Sequence, residues 1–452
     1  MIILNFIWGR ENMNSKINKV VDKIMPIASK ISCQRHLCAV RDGFVTLMPL
    51  IISASMFILL NSIVLNSNNG IIGRFINLDK YLEIGGIVSN ASLGILALLF
   101  AFTMSYNLAK SYNEDGLSAG VMGVACMMTL IPQAIKIVPE GLNEAVSISG
   151  VISTSNISSS GIFLAMIAGL LGTELFIKLS KNEKLKIKLP DTVPYGVAKS
   201  FNVMIPSMIT ITVFAVVVFG INMISSVTIP ELITKIIQTP LQNVVQTSAG
   251  MILITTVSNL LWAFGIHGSS ILSPLTTPTF LAAIQENMDA FNAGLPVPNV
   301  VTEQFINSYS LLGGGGCIIA LIIAVFIVSK RAEQRKIAAL GSLPSVFNIS
   351  EPIMFGMPVV LNPIFMIPVV LVPAINLIIA YYATSIGLVE KTVAIVPWTT
   401  PPVISAYLAT GGDWKAAVLS GILLVLSVLI YIPFVMISNK QQEFEEQETV
   451  NY

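Results

Sequence analysis

The chain has 452 residues, of which 54% are hydrophobic and 11% charged, with a mean hydropathy of +0.80 and a formal net charge of +1. A soluble globular domain carries roughly 25% charged residues, so this composition argues against a soluble enzyme and describes a polytopic membrane protein. The net charge says nothing about nucleic acid, but the sequence shows no basic patch with interleaved aromatics, and no nucleic-acid partner is expected.

The opening MIILNFIWGREN precedes a second methionine, Met13, and is too short and poorly flanked for a signal peptide. Residues 1–12 are therefore read as a possible start-site extension. From Lys16 to Arg41 the chain is basic and amphipathic, with Ile17, Val20, Val21, Ile24 and Ile27 on helical spacing. This suits a helix lying on the cytoplasmic membrane surface, the alternative being a partly disordered tail. Cys33, His36 and Cys38 resemble a metal site only loosely, because no second ligand pair follows. No metal and no cofactor is assigned, and His36 is read as solvated or facing headgroups.

Apolar runs near 43–65, 87–109, 117–138, 160–179, 200–227, 247–266, 311–329, 364–386 and 414–437 are read as long enough for a helix to cross a bilayer, which takes about 20 residues. The runs 267–285, 342–362 and 392–409 are apolar but broken by proline, and read as re-entrant hairpins or discontinuous helices. The expected fold is an all-α polytopic membrane protein with about ten transmembrane helices plus re-entrant hairpins and interfacial amphipathic helices. Residues 228–246, interrupted by Pro240, are expected as an interfacial helix pair. The polar stretch 286–310 suits an extracytoplasmic loop, part of which a hairpin could tuck beneath the membrane. The tetraglycine 313–316 is read as a close-packing site, with a hinge as the alternative. The acidic end, 438–452, reads as a disordered cytoplasmic tail.

Seven lysines and arginines lie between Arg10 and Arg41, and the 178–191 and 330–341 loops are also basic. The positive-inside rule then places these segments, and the N-terminus, in the cytoplasm. Composition divides the chain as well. Residues 13–227 hold the lead-in and simple hydrophobic helices, read as scaffold and dimerisation surface. Residues 228–437 are the working half, and nine of the 23 prolines fall between Pro344 and Pro402. Gly116, Gly120 and Gly123 permit close helix contact, between subunits or within one.

Within SLPSVFNISEPIMFGMPVVLNP, Glu351 lies in an apolar run with prolines at 344, 352, 358 and 363. Leu343, Glu351, Met357 and Asn362, each preceding a proline, are expected break points. Broken backbone at membrane depth survives only where protein buries it or a wet cavity adjoins it, and an ionisable group there marks a functional site. His267 ends the run SNLLWAFGIHGSS between two glycines, where an imidazole can trade a proton at ordinary pH or simply bond to a neighbouring helix. Trp398, in IVPWTTPPVIS, offers an apolar face suited to a sugar ring, the alternative being an interfacial belt residue; Trp262 and Trp414 read as belt or packing residues. Glu351, His267, Asn348 and Trp398 together supply what a neutral polyhydroxylated ligand needs. There is no Walker loop, no Ser-His-Asp pattern and no glycosidase carboxylate pair.

NISEPIMFGMPVVLNP, WAFGIHG and VPWTTPP resemble signatures of the permease subunit IIC of the lactose/cellobiose (diacetylchitobiose) family of the phosphoenolpyruvate-dependent sugar phosphotransferase system. The resemblance runs from MNSKINKVVDKIMPIASKIS to the last span. It implies a homodimer in the bacterial cytoplasmic membrane that carries a disaccharide or β-glucoside, cellobiose-, lactose- or chitobiose-like. By carry-over, Glu351 and His267 would hold the hydroxyl that becomes phosphorylated, with Asn348 and Trp398 lining the pocket. The phosphoryl donor would be a separate IIB protein, charged through IIA, HPr and enzyme I, since no cysteine here lies in a soluble domain. The rival reading is a proton-coupled sugar symporter in which Glu351 and His267 relay protons.

Overall fold

The computed structural model describes residues 34–65, 67, 72–137, 146–187, 190, 193–194, 200–225, 227–357 and 359–450. The possible start-site extension and the lead-in through Cys33 lie outside them. The chain forms two compact units: Gln34–Val244 with Pro274–Gln285, and Val245–Ser273 with the residues from Glu286 on. Among the described residues, six helices are long and apolar enough to cross a membrane, or up to seven if a bent pair counts as one span.

In the first unit the helices Arg35–Leu59, Leu96–Ser111, Gly116–Leu130 and Ile162–Ser180 pack against one another. Small residues bring their backbones together. A Cβ at Gly43 would stand 3.1 Å from the Met104 backbone, and one at Gly123 would overlap the Ser105 hydroxyl. Phe44 stacks on Phe100 with ring centroids 4.0 Å apart. Gly116, Gly120 and Gly123 meet Tyr106, Phe102 and Ser105 of the preceding helix, so packing within the subunit accounts for all three. Met204–Ile224 buries only Pro206 and Thr210, as befits an apolar helix whose solvent is hydrocarbon.

At one end of this unit, His36 is not merely solvated. Its Nε2 lies 2.8 Å from Glu174 Oε1, and the Tyr112 hydroxyl donates to the same oxygen at 2.6 Å. Arg35 lies over the Tyr112 ring, 4.1 Å from its centroid.

The second unit is built from Ser248–Ala263, Glu303–Ser310, Ile318–Val328, Ala332–Val346, Pro363–Ser385, Ile404–Ala409 and Trp414–Val450. Its core contains a buried polar chain. Asn376 Nδ2 donates to Ser427 Oγ at 2.9 Å, and the Tyr431 hydroxyl donates to the Gly316 carbonyl at 2.6 Å. Such pairing is what makes polar groups tolerable where no water competes. The 286–310 stretch is partly tucked in. Asn287 bonds both Asn299 and the Thr392 carbonyl, and the helix Glu303–Ser310 buries Phe305 and Tyr309.

Several expectations are corrected. The 117–138 run is helical only to Leu130, because Pro132 holds Ile131 extended (φ −88°, ψ 128°); Ala134–Ile137 then pairs antiparallel with Val146–Ser149. The 311–329 run becomes helical only at Ile318, because Gly313, Gly314, Gly316 and Cys317 all have positive φ. Residues 267–285 are not broken: Gly268–Asn292 is one helix containing Pro274 and Pro278. The Ser273 hydroxyl donates to the Ser270 carbonyl at 3.2 Å, occupying the acceptor that Pro274 leaves unpaired. Leu343 is not a break either, since Ala332–Val346 continues through Pro344. At Pro240 the chain stays helical, a π turn over Thr234–Gln238 running directly into the helix Thr239–Val245. The acidic tail continues the last helix to Val450.

Candidate functional site

Two helix ends in the second unit supply the site. Ser248–Ala263 stops in a left-handed turn at Gly265 (φ 82°), where Gly265 N–H bonds the Trp262 carbonyl and Ile266 N–H bonds that of Leu261, both at 2.9 Å. This is the paired reverse bonding of a Schellman ending, which explains the glycine in WAFGIHG. His267 then precedes the next helix, which starts at Gly268; a Cβ there would collide with the Ser258 carbonyl.

The second end repeats the device with a different residue. Asn348 N–H bonds the Ser345 carbonyl at 3.0 Å and Ile349 N–H bonds that of Pro344 at 3.1 Å, with Asn348 itself left-handed (φ 62°). Asparagine is among the few residues that accept this conformation without large strain. The chain then turns through Ser350 into a short helix, Glu351–Gly356, with Pro352 in its first turn. The breaks anticipated before Pro352 and Pro363 are present: Glu351 opens this helix, and Asn362 caps the next.

The Glu351 side chain is exposed and, among the described residues, has no hydrogen-bond or ionic partner. His267 is exposed as well. Its Nδ1 lies 3.0 Å from Ser269 Oγ and 2.9 Å from Ser270 Oγ, leaving Nε2 as the uncommitted ring nitrogen. Trp398 is 50% exposed, so its ring face is available to a ligand.

Asn348 differs from what the sequence suggests. Its amide is committed to backbone: Oδ1 accepts from Gly313 N–H at 2.9 Å, and Nδ2 donates to the carbonyls of Trp398 at 2.6 Å and Thr400 at 2.9 Å. It clamps the tetraglycine loop and the Trp398 loop to the turn before Glu351. The Trp398 loop is also tied by Val396 N–H to Gln304 Oε1 at 3.2 Å, and it ends at Val403, a β-branched residue at φ 72°.

Sequence reasoning missed Trp262. It is buried, its N–H donates to Ser350 Oγ at 3.3 Å, and its ring meets His267 at 4.9 Å and Phe355 at 5.8 Å between centroids. Gly315 passes against the indole so closely that a Cβ would collide with it. The tetraglycine is thus a close-packing site. The position of Trp262, five residues before His267 across a glycine turn, is the signal by which it could have been found.

His267, Trp262, Ser350, Asn348 and Trp398 therefore form one connected set, with Glu351 adjoining Ser350. Among the described residues no three His, Cys, Asp or Glu side chains gather to hold a metal. Chemically the set comprises a carboxylate acceptor, one imidazole nitrogen and an aromatic ring.

Residues 41–373 match the sequence family described as phosphotransferase system, EIIC. The chain is 35% identical to a putative permease IIC component of Bacillus subtilis (strain 168), over 94% of this chain and 96% of that one. It is 36% identical to the cellobiose-specific EIIC component of Geobacillus stearothermophilus, over 96% and 97% of the two chains. Among solved structures, the transporter ChbC, the IIC component of an N,N'-diacetylchitobiose-specific phosphotransferase system, matches with a TM-score of 0.88 at 33% identity, covering 94% of this chain and 98% of that one.

Proposed function

This chain belongs to the phosphotransferase system EIIC family, and from that premise we propose that it binds a β-linked disaccharide of the cellobiose or chitobiose kind and presents it for phosphorylation during uptake. The observation that carries this reading is that the two segments bearing exposed groups with uncommitted atoms, Glu351 and His267 Nε2, both contact Trp262, while Asn348, at the turn before Glu351, holds the backbone of the exposed Trp398. The names of relatives support the substrate class: one is cellobiose-specific, and the solved neighbour serves a chitobiose system.

A neutral sugar gives up water at every hydroxyl it buries, and each needs a replacement partner. Glu351 accepts a hydrogen bond from a sugar hydroxyl beside the one to be phosphorylated, whose own proton faces His267 Nε2, while Trp398 covers the C–H face of a ring. The donor is a phosphocysteine on a separate IIB protein. The sugar oxygen attacks phosphorus, the S–P bond breaks as the O–P bond forms, and the hydroxyl proton passes to His267 Nε2. The product carries about −1.5 to −2 charge, so the Glu351 carboxylate disfavours it and the site clears toward the cytoplasm.

The first unit, with its closely packed helices, serves as the dimerisation scaffold, and the N-terminus lies on the cytoplasmic side of the bacterial cell membrane. The test is uptake of radiolabelled cellobiose into vesicles, with and without phosphoenolpyruvate and the soluble phosphotransferase proteins. Lumenal sugar phosphate that appears only with the full relay supports group translocation. Free sugar accumulating on a proton gradient alone would assign the chain to symport.

A further inference from the structure

Trp262 holds a position that packing alone does not require. It is buried, yet it touches the two segments that carry the exposed reactive groups. On one side its ring meets the His267 imidazole, tilted at 60°. On the other, its N–H reaches Ser350, the residue before Glu351, and its ring meets Phe355, from the same short helix as Glu351, in a T-shaped contact. The neighbouring residue repeats the attachment: the Ala263 carbonyl accepts from Leu361 N–H at 2.9 Å. Residues 350–361 are thereby fastened at both ends to Trp262 and Ala263, the last turn of one helix. Gly315 closes the remaining side.

We infer that Trp262 is a positioning residue that sets the placement of Glu351 relative to His267, with the Ser350 hydroxyl as its handle. The inference rests on the reading of Glu351 and His267 as the sugar-hydroxyl site. Trp262 itself touches no substrate. Its contribution is to alignment for phosphoryl transfer rather than to sugar affinity, because the sugar can bind a slightly misplaced carboxylate while in-line attack cannot tolerate it.

The experiment compares Trp262→Phe, which keeps a ring and loses the N–H, with Ser350→Ala, the double variant, and Ser350→Thr, which restores a hydroxyl. Each full-length chain is purified, checked for its melting midpoint, assayed for cellobiose binding by calorimetry, and assayed for kcat and KM of cellobiose phosphorylation with the soluble relay. Glu351→Gln is run beside them. The expected result is a fall in kcat of about tenfold or more in Trp262→Phe and Ser350→Ala, with the cellobiose Kd within about threefold of wild type. The double variant is no worse than either single, since both remove one contact, and Ser350→Thr recovers most of the rate. Should Trp262→Phe not fold, Ser350→Ala and Ser350→Thr carry the comparison. A wild-type kcat in Trp262→Phe and Ser350→Ala, with Glu351→Gln inactive, overturns the inference and leaves the site reading intact. Loss of affinity in step with loss of rate also overturns it, since Trp262 would then act on binding. Full activity in Glu351→Gln removes the site reading, and the inference with it.

Discussion

The side-chain amide of Asn348 donates a 2.6 Å hydrogen bond to the main-chain carbonyl of Trp398, fifty positions further along the chain. The residue that looks most like a ligand amide is therefore a fastener. It holds the exposed indole in place from behind, and its left-handed backbone ends the helix that leads to Glu351.

Two substitutions separate these duties. Asn348→Gly keeps the turn and loses the clamp, while Asn348→Ala loses the clamp and leaves a Cβ in the left-handed region without the polar side chain that makes it tolerable. Both variants are expected to weaken cellobiose binding, and Asn348→Ala to be the less stable of the two by about 1 kcal/mol. Melting midpoints in detergent, alongside calorimetric binding, check this; equal stability would mean that the turn relaxes when the clamp is gone.

Glu351→Gln preserves shape and one acceptor oxygen but removes the charge. Phosphorylation of cellobiose is expected to drop at least about 100-fold, as it should in His267→Ala if the imidazole takes the hydroxyl proton. Rapid-quench assay of sugar phosphate in vesicles measures it, and near-normal turnover in His267→Ala would remove the proton-acceptor role.

A methyl group at position 268 has nowhere to go, because it meets the Ser258 carbonyl rather than a movable side chain. Gly268→Ala should cost about 1–3 kcal/mol and displace His267. The yield of monodisperse protein and its melting midpoint report the effect, and an unchanged midpoint would show that the two helices can slide apart.

Tyr112 lies just beyond the helix Leu96–Ser111, and the hydrogen bond it donates to Glu174, with burial, raises its hydroxyl above the usual tyrosine range. A pKa raised in the folded state means that the stabilisation is fully present below the unfolded value, about 10, and is lost as pH climbs through the folded one. The stability difference between wild type and Tyr112→Phe should stay level from neutral pH to about pH 10 and shrink above it. Phenolate absorbance followed against pH, compared between the two proteins, gives the titration directly.

Much of this architecture is readable from residues. Long apolar runs become helices, and the Ser350–Glu351–Pro352 break is visible because proline constrains the residue before it. Reading breaks from proline fails where a neighbour makes good the lost bond, as Ser273 does for Pro274, and the helix also runs on through Pro240 after a π turn. Glu351, His267 and Trp398 are legible as polar or aromatic residues in unusual apolar surroundings. Trp262 is marked only by its spacing from His267, because its importance comes from Ser350 and Gly315, which approach it only after folding. Asn348 is legible as an amide in apolar surroundings, but sequence does not reveal that three backbone groups already occupy it.

The tetraglycine loop has a consequence for how the protein tolerates change. Gly313, Gly314 and Gly316 need backbone angles that side chains resist, and Gly315 has an indole where a methyl would stand. A saturation library selected for growth on the sugar should therefore show four adjacent empty columns at 313–316, while Ile327 in the following helix, exposed on its apolar surface, accepts many replacements. Such a silent block, lying far from Glu351 in sequence, would mark the fixed wall against which the transport site is built.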